Sequence, residues 1–486
     1  MATDQEMAVP MVTAPTMAKI RNTDSLLRIG DTEARQIVLK IADAVLQRMD
    51  AYERIKSIMS LDGDVLTVGS RSWDLSTKRN VYLVGAGKAC NHMAMAVDEI
   101  LGDRLTRGIA IVKVAEASDR FRRTEIHVGG HPIPNQAGYD ASRAILDLAD
   151  KAGPDDLFIA VISGGSSALM NCPVDGIDLR DEMAATDVLL KSGAGIYEIN
   201  AIRRHISQTN GGRLAQRIAA SGAELIGFGI SDAVGNAPTD DIGEPFPAYA
   251  STPIGPDRTT LADARRVIDE YDLADRLPAS VVSYLKNAGP ESETPKAFPE
   301  NTYYLINTLA DSSIYAKEVA EGLGLPALIV TSFLEGESRD AGTFLASVAR
   351  EIQVNNNPIA PPCVLVATGE TTTQIVNPQS IEGHGGPGHE LAAAFAIGAA
   401  KVTGAAALSI DTEGTDGTTP AAGAVTDSTS LARARANGVS LHTALRSHAS
   451  HEALLEIGDV IDTGNTGTNV CDLNLVYVPA QVGPLR

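Results

Sequence analysis

One stretch of the sequence combines glycines and serines in the way that anion-binding loops do. The apolar run LFIAVI ends in Ser163-Gly164-Gly165-Ser166-Ser167, which opens a helical pattern. Backbone amides and hydroxyls at such a turn form a nest for a phosphate or carboxylate. Helix capping by the serines is the alternative, and a serine nucleophile is disfavoured because the G-x-S-x-G elbow is absent. We therefore expect an anion site in this loop.

A second glycine loop carries a lysine. Gly85-Ala86-Gly87-Lys88 follows the run VYLV and precedes a helical pattern. It is incomplete as a dinucleotide fingerprint, because Cys90 takes the place of the third glycine, and it lacks the Walker A residues. A helix N-terminus with a lysine favours an anion. The loop thus predicts a phosphate contact through Lys88, the alternative being a tight turn with an exposed lysine.

Carboxylates follow three other apolar runs. They are Asp232 in ISD, Glu370 in TGET, and Asp416 in DTEGTDG, where Asp411 and Glu413 precede it. Carboxylates at strand ends hold Mg²⁺ through one or two oxygens or accept the proton of a hydroxyl. Together they predict a metal and base site, although each alone is more often a turn or cap residue. Three histidines near glycines are open between ligand and structural roles, without zinc-motif spacing: His131, His384 and His389.

The elements that position these residues are short apolar runs alternating with helical patterns. Such runs predict buried parallel strands in α/β units, where ligands bind beyond the carboxyl ends of the strands. Asp31 is the expected N-cap of the first helix. Residues 391–410 predict a buried helix followed by a strand, because Lys401 and two glycines interrupt a membrane-like run. The predicted strands begin at Val81, Leu157, Leu225, Tyr303, Ala327, Cys363, Ala407 and Leu473.

Two segments rich in proline and polar residues indicate breaks in the chain. The segment 287–301 is the better domain boundary, and 354–362 is either a second break or a loop before a strand. We therefore expect a flexible N-terminal arm over 1–30, a Rossmann-like three-layer α/β/α domain over 31–290, and an α/β domain with a mixed sheet over 300–486. The site is expected in the cleft between the two domains.

The composition narrows the class of partner. The 486 residues carry a net charge of −21, which argues against nucleic acid and against an anionic membrane surface. A phosphorylated substrate stays open, because local cations or a metal ion reverse the sign within one cleft. The four cysteines form no C-x-x-C pair and no signal peptide is evident, so we expect a cytoplasmic protein without disulfides or zinc.

Ordered motifs from residue 31 to residue 478 make the chain resemble the glycerate 2-kinases of the MOFRL family, some of which are named hydroxypyruvate reductases. The motifs are VGAGKA (84–89), GGHPIPN (129–135), ISGGSSAL (162–169), LLKSGAGIYEINAIRRHIS (189–207), GGRLA (211–215), ISD (230–232), GPDRTT (255–260), GET (369–371), EGTDGTTPAAGAVTD (413–427) and TGNTGTNVCDL (463–473).

The resemblance implies transfer of the γ-phosphoryl group of ATP, with Mg²⁺, to the 2-hydroxyl of D-glycerate or a related small hydroxy acid. It implies that Lys88 contacts a phosphate, and that Asp232 and Asp416 hold the metal, with Glu370, or activate the hydroxyl. The anion site would be lined by Gly85, Gly87, Ser163, Gly164, Gly165, Ser166, Ser167, Asn200 and Arg203. A homodimer is the expectation from base rates.

The chain departs from the family where phosphate-binding cations are usual. Pro387 stands where the family has arginine in Gly-Gly-Arg-Asn-Gln-Glu, and Asn210 stands where it has lysine. The elements around 235–236 and 251–253 are altered as well. An arginine on a phosphoryl transition state contributes about 10³–10⁵ in rate. Candidates to compensate are Arg203, Arg204, Arg213, His384 and His389.

Two other functions stay open at this level. One is an NAD(P)H-dependent hydroxypyruvate reductase, supported by the incomplete loop at 85–87, and the other is a sensor or binding protein that kept the fold. NADH binding without ATP binding would favour the reductase. Loss of turnover in Lys88→Ala would favour the kinase over the sensor.

Overall fold

The computed structural model describes residues 18–234, 238–239, 242–245, 253–298, 302–375, 377, 379 and 381–480. The strands are β1 (Met59–Asp62), β2 (Val65–Val68), β3 (Arg71–Asp74), β4 (Asn80–Gly87), β5 (Arg107–Val112), β6 (Thr124–Val128), β7 (Asp156–Ile162), β8 (Glu224–Ser231), β9 (Thr302–Thr308), β10 (Ala327–Leu334), β11 (Cys363–Gly369), β12 (Ala406–Asp411), β13 (Gly423–Asp427), β14 (Val460–Ile461) and β15 (Asp472–Val478).

The helices are α1 (Thr23–Leu26), α2 (Thr32–Arg48), α3 (Ala51–Ile58), α4 (Cys90–Leu101), α5 (Gln136–Lys151), α6 (Ser166–Leu169), α7 (Leu179–Leu190), α8 (Ile196–His205), α9 (Arg213–Ala220), α10 (Leu261–Glu270), α11 (Ala279–Asn287), α12 (Leu309–Gly322), α13 (Ser338–Asn355), α14 (Pro387–Ala399), α15 (Ser430–Ala436), α16 (Leu441–Arg446) and α17 (Ser450–Glu456). A small antiparallel sheet of β1, β2 and β3 was not predicted.

The first large sheet is parallel and covered on both faces. Its strand order is β6-β5-β4-β7-β8-β9. Leu83 and Val84, adjacent on β4, belong to hydrophobic cores on opposite faces, one shared with α4 and the other with α5 and α9. This arrangement confirms the Rossmann-like three-layer expectation, because only a strand buried on both faces is apolar at successive positions.

The second large sheet is mixed, with the order β10-β11-β15-β12-β13-β14. Only β10 and β11 pair in parallel, whereas β15 runs antiparallel to both β11 and β12. The mixed sheet was expected, but parallel strands at Ala407 and Leu473 were not correct. An apolar run buried on both faces has the same composition whichever way its neighbour runs, so strand direction was not readable from it.

Two separate parts of the chain form the second lobe, by which we mean the part of the protein built on the mixed sheet; the first lobe is built on the parallel sheet. Helix α2, capped by Asp31 as predicted, packs on β12, β13 and β15 although it precedes the first sheet. The Arg35 guanidinium forms buried ion pairs with Asp427 and Asp459, 2.5 Å from the latter. The predicted domain limits at 31 and 290 therefore differ from the packing, since a contact between residues almost 400 positions apart leaves no local signal.

The other boundaries differ in the same way. Strand β9 follows the segment 287–301 yet pairs with β8 in the first sheet, so the second lobe does not begin at residue 300. The flexible arm predicted over 1–30 is wrong for residues 18–30, where Ile20 and Leu26 are buried and the Arg21 amide donates to Asp462 at 2.8 Å. Residues 1–17 lie outside the described residues, as do the altered positions 235–236 and 251–252.

Two further expectations are confirmed. The segment 354–362 is a loop joining α13 to β11, and residues 391–410 form most of α14 and then β12. In the described part of the chain, no helix has both the length and the apolar character that a bilayer crossing requires.

Candidate functional site

The carboxyl ends of five neighbouring strands in the first sheet carry polar residues. In spatial order β6, β5, β4, β7 and β8, these strands are followed by His131, Lys113, Lys88, Ser163 and Asp232. Parallel strands bring such loops to one edge of the sheet, where ligands of α/β proteins bind. The fold thus gathers Lys88, Ser163 and Asp232 as the sequence predicted, and it adds His131 and Lys113.

The two predicted glycine loops interlock. The Ser163 hydroxyl accepts a hydrogen bond from the Ala89 amide at 3.0 Å, and the Lys88 amide donates to the Gly164 carbonyl at 2.9 Å. Gly87 has φ of 143°, and a Cβ there would lie 2.0 Å from Ser163 Oγ. The glycine is therefore required by the close approach of the second loop.

The loop 163–167 also packs against the carboxylate that follows β8. A Cβ on Gly164 would lie 1.7 Å from Asp232 Oδ2, and Gly165, with φ of 85°, precedes the short helix α6. Ser163 and Ser166 are buried, and Asn210 donates to the Ser167 carbonyl at 3.2 Å. The asparagine that replaces the family lysine therefore supports the loop from behind.

Glu413 of the second lobe joins the two lysines across the cleft. Its carboxylate lies 2.7 Å from Lys88 Nζ and 2.6 Å from Lys113 Nζ, and it also accepts from the Thr415 hydroxyl at 2.6 Å. Burial alone would raise the pKa of Glu413, but the two lysines lower it to about 2. Burial alone would lower the pKa of Lys88, but Glu413 and Asp411 raise it above its ordinary value. Both groups are therefore charged at neutral pH.

Asp232 is the carboxylate of the first lobe that faces the second. Its Oδ2 accepts from Asn469 at 3.2 Å, and its backbone carbonyl accepts from the Cys471 thiol at 3.0 Å. Burial raises the pKa of Asp232, while the charge of Lys88 opposes that rise. Glu370 is near, since the Cys471 thiol lies 3.7 Å from its Oε2. Asp232 and Glu370 thus belong to one site, as predicted.

Two acids that face each other across β12 and β15 were not both anticipated. Asp411 and Asp472 occupy paired positions in the antiparallel register. Burial and then the charge of Glu413 raise the pKa of Asp411 well above its ordinary value, and burial and then Asp411 do the same for Asp472. Asp472 was missed because Asp472-Leu473, at the end of the motif 463–473, is typical of the start of a strand and not of a loop that carries a ligand.

Asp416 binds the start of a helix, and these contacts differ from the metal or base role predicted for it. Its oxygens accept from the amides of Gly388 at 3.1 Å and His389 at 2.8 Å, at the start of α14, and also from the His389 ring. The carboxylate is 1% exposed. Asp416 is therefore the anchor of the helix that begins at Pro387, because a buried acceptor with three donors has little capacity left for a ligand.

Helix α8 presents two predicted anion ligands on one face. Asn200 and Arg203 are three residues apart, and the buried Asn200 Oδ1 and Arg203 Nη2 atoms have no hydrogen-bond partner among the described residues. Burial lowers the pKa of Arg203, while Glu182 opposes that effect. Polar atoms buried without partners are costly, so they indicate a ligand that completes them.

The other candidates to replace the family arginine have partners of their own. Arg204 lies 3.0 Å from Asp257, Arg213 donates to the Ser292 carbonyl at 2.5 Å, and exposed His384 lies 2.7 Å from Glu452. His389 is held by Asp416. Arg203, whose charge acts on His131 together with those of Lys88 and Lys113, stays the predicted replacement for the family arginine.

A parallel sheet and a mixed sheet meet at strand ends, with two lysines and Asp232 on one side and further carboxylates on the other. This arrangement defines a two-lobed α/β protein with a charged cleft. Residues 37–286 match the family model described as a domain of unknown function, DUF4147, and residues 363–472 match that of the MOFRL family. The chain belongs to the family of proteins that join these two domains, the glycerate 2-kinase family.

Individual relatives agree over nearly the whole chain. The glycerate 2-kinase of Pyrococcus horikoshii is 35% identical over 458 residues, covering 93% of this chain and 99% of that protein. The crystal structure of glycerate kinase from Thermotoga maritima has a TM-score of 0.73 at 30% identity, covering 91% of this chain and 99% of that one. An Agrobacterium vitis protein with a provisional hydroxypyruvate reductase name is 36% identical, covering 82% of this chain and 98% of that protein.

Proposed function

We propose that this protein transfers the γ-phosphoryl group of ATP to the 2-hydroxyl of D-glycerate or of a related small hydroxy acid. The observation that carries the proposal is the position of Lys88 against the loop 163–167, facing Asp232 across that loop. Phosphoryl transfer requires positioned charge more than covalent chemistry. A lysine, backbone amides and carboxylates at one cleft are the groups that supply it.

The cationic residues divide between phosphate and substrate. Lys88 and Lys113, which share Glu413, are placed to neutralise the phosphates of the nucleotide. Arg203 and Asn200, with buried unpartnered atoms, are placed to bind the carboxylate and a hydroxyl of the acid. A guanidinium suits a carboxylate because its donors match both carboxylate oxygens. This division makes α8 the element that selects the substrate.

Asp232 and Glu370 fit a Mg²⁺ ion that arrives with the nucleotide. In the part of the chain that the structure describes, no three His, Cys, Asp or Glu side chains converge as a complete metal cage. Mg²⁺ in kinases is commonly held by one or two carboxylates and by substrate phosphates, so a pair of acids is sufficient. The charge of Lys88 acts on both acids, but neither forms an ion pair with a cationic side chain among the described residues. Such an ion would offset charge on the transferred group.

The reductase alternative is less well supported by the loop 85–87. A dinucleotide pyrophosphate requires the free amides at the start of the following helix. Here the Ser163 hydroxyl accepts the hydrogen bond from the Ala89 amide, and the Gly164 carbonyl accepts that of the Lys88 amide. The close approach of the two loops therefore favours a phosphate held by Lys88 over a dinucleotide.

Release of ADP from ATP and Mg²⁺ by the purified protein, with D-glycerate as acceptor, tests the proposal. Phosphorus NMR of the product then distinguishes 2-phosphoglycerate from 3-phosphoglycerate. L-Glycerate serves as the matched control acceptor, and hydroxypyruvate with NADH or NADPH tests the reductase. Absence of ADP release with D-glycerate and with longer aldonates, or oxidation of NADH by hydroxypyruvate, would contradict the proposal.

A further inference from the structure

His131 lies in the middle of the cationic edge. It belongs to the loop 129–135, which follows β6 and leads to α5. A Cβ on Gly165 would lie 3.2 Å from His131 Nε2 and 3.2 Å from Lys88 Cγ. The Nε2 side of the imidazole and the stem of the lysine therefore cover the same point of the loop 163–167.

The ring of His131 is also free of protein partners. Several other buried or half-buried histidines are held by acids, carbonyls or another ring, for example His205 by Glu293 at 2.8 Å and His448 by Glu390 at 2.8 Å. Within the described residues, neither ring nitrogen of the half-buried His131 has a hydrogen bond or an ion pair. The ring nitrogens are not among the buried atoms that lack a partner, so they are accessible from the cleft and available to a ligand.

The charges around His131 keep it neutral before ligands bind. Burial, followed by the charges of Lys88, Lys113 and Arg203, lowers the pKa of His131 to about 3, and Glu413 opposes only part of this. Bound phosphates would offset those three cations, so the imidazole would gain affinity for a proton when the nucleotide is present. The base would thus become competent together with the loaded site.

We propose that His131 is a further catalytic residue, the base that accepts the proton of the substrate hydroxyl during transfer. This inference rests on the proposed function. The hydroxyl oxygen forms a bond to the γ-phosphorus, and the bond from that phosphorus to the β,γ-bridging oxygen breaks with its electron pair remaining on ADP. The hydroxyl proton moves to a ring nitrogen of His131 and then to solvent, which restores the neutral imidazole.

His131 and Asp232 contact different residues of the loop 163–167, so we assign them different roles in the transfer. Asp232 contacts Gly164 on the side of the loop that faces Asn469 and the second lobe. His131 lies at the next residue, Gly165, beside Lys88. The charges of Lys88, Lys113 and, least of the three, Arg203 act on the imidazole, so His131 lies between the lysines assigned to the phosphates and the guanidinium assigned to the acid.

Variants of His131 test the inference in the full-length protein. We expect His131→Ala to lower kcat for D-glycerate by about 10²–10⁴-fold, as loss of a general base does, with the KM for ATP changed less than threefold. Added imidazole should restore part of kcat in this variant but not in Lys88→Ala. His442→Ala, on an exposed histidine, is the matched control and should retain wild-type kcat. A kcat within threefold of wild type, or no rescue by imidazole, would overturn the inference.

NMR titration of the wild-type ring is independent of whether the variant folds. We expect the pKa of His131 to rise when a non-hydrolysable ATP analogue and Mg²⁺ are added, and an unchanged titration would overturn the inference. Failure of the proposed function is distinguishable, because it would be seen as no ADP release by the wild-type protein. A wild-type protein that releases ADP while His131→Ala keeps full kcat would refute only the role of His131.

Discussion

The two edges that form the cleft differ in the sign of their charges. The edge of the first sheet carries Lys88 and Lys113, with the neutral His131 between other cations. The edge of the second sheet carries Asp411, whose pKa is raised by burial and then by Glu413, and Asp472, whose pKa is raised by burial and then by Asp411. Among the described acids of this edge, only Glu413 forms an ion pair with a lysine. The lysines of the first edge therefore suit anions, whereas the carboxylates on both sides of the cleft, Asp232 and Glu370 among them, suit a cation.

The largest effect is expected when the cation at the centre of the first edge is removed by substitution. Lys88→Ala should lower kcat/KM for D-glycerate by about 10²–10³-fold, because a preorganised charge on the phosphoryl group is lost. Initial-rate assays of ADP release measure this effect. Lys401→Ala, on an exposed lysine, is the matched control. Full turnover by Lys88→Ala would place the phosphate elsewhere.

A smaller effect is expected where the two edges meet. Glu413→Gln keeps the size of the side chain but removes the charge that holds Lys88 and Lys113. We expect kcat to fall by about tenfold, the scale of roughly 1.4 kcal/mol, because Lys88 loses its orienting partner. An increase in kcat would show instead that Glu413 blocks the phosphate site, and would make the charge contrast an inhibitory one.

Asp416→Asn distinguishes an acid that supports structure from those that line the cleft. We expect the free energy of unfolding to fall by about 1–3 kcal/mol, because a charged acceptor with buried donors is replaced. Urea denaturation measures the loss, and kcat should stay within threefold at a temperature where the variant is folded. A loss of kcat comparable with that of Lys88→Ala would restore the catalytic role predicted from the sequence.

The smallest expected effect is on the pH dependence of stability. The pKa of Asp472 is raised in the folded state by burial and then by Asp411, so the folded protein binds more protons than the unfolded chain above the ordinary aspartate pKa. The free energy of unfolding therefore falls as pH rises through that interval. Asp472→Asn should raise Tm by about 1–3 °C at pH 7 and by less at pH 4. Calorimetry measures both, and a lower Tm at pH 7 would contradict the expectation.

The effect of Mg²⁺ on thermal stability tests whether the carboxylates of the cleft bind a cation. The ion should raise Tm of the wild-type protein, since it offsets repulsion among the buried carboxylates on both sides of the cleft, and Asp232→Asn should reduce that increase. The matched control is Asp103→Asn, on an exposed aspartate. An equal increase in both variants would indicate that Mg²⁺ binds away from the cleft.

Features of the site could be predicted from the sequence where the residues that define them are close together in the chain. The loop 163–167 and Lys88 were found because a strand, glycines and a helix start are consecutive in the chain. Arg203 and Asn200 came from the family resemblance, and their unpartnered atoms fit that assignment. The contacts of Asp416 with the start of α14 were not anticipated, because a carboxylate in a turn has the same local sequence whether it binds a helix start or faces a ligand.

The sequence by itself determined eight of the fifteen described strands, the glycine loops and the family, since each depends on a local apolar run or on ordered motifs. Only the tertiary structure decided that Lys113 and His131 join Lys88, that Glu413 bridges the lobes, and that α2 packs on the second sheet. The physical reason is that strand order and direction bring together residues far apart in the chain. The burial of each residue and the charges around it, which decide its chemical role, arise only when the chain has packed.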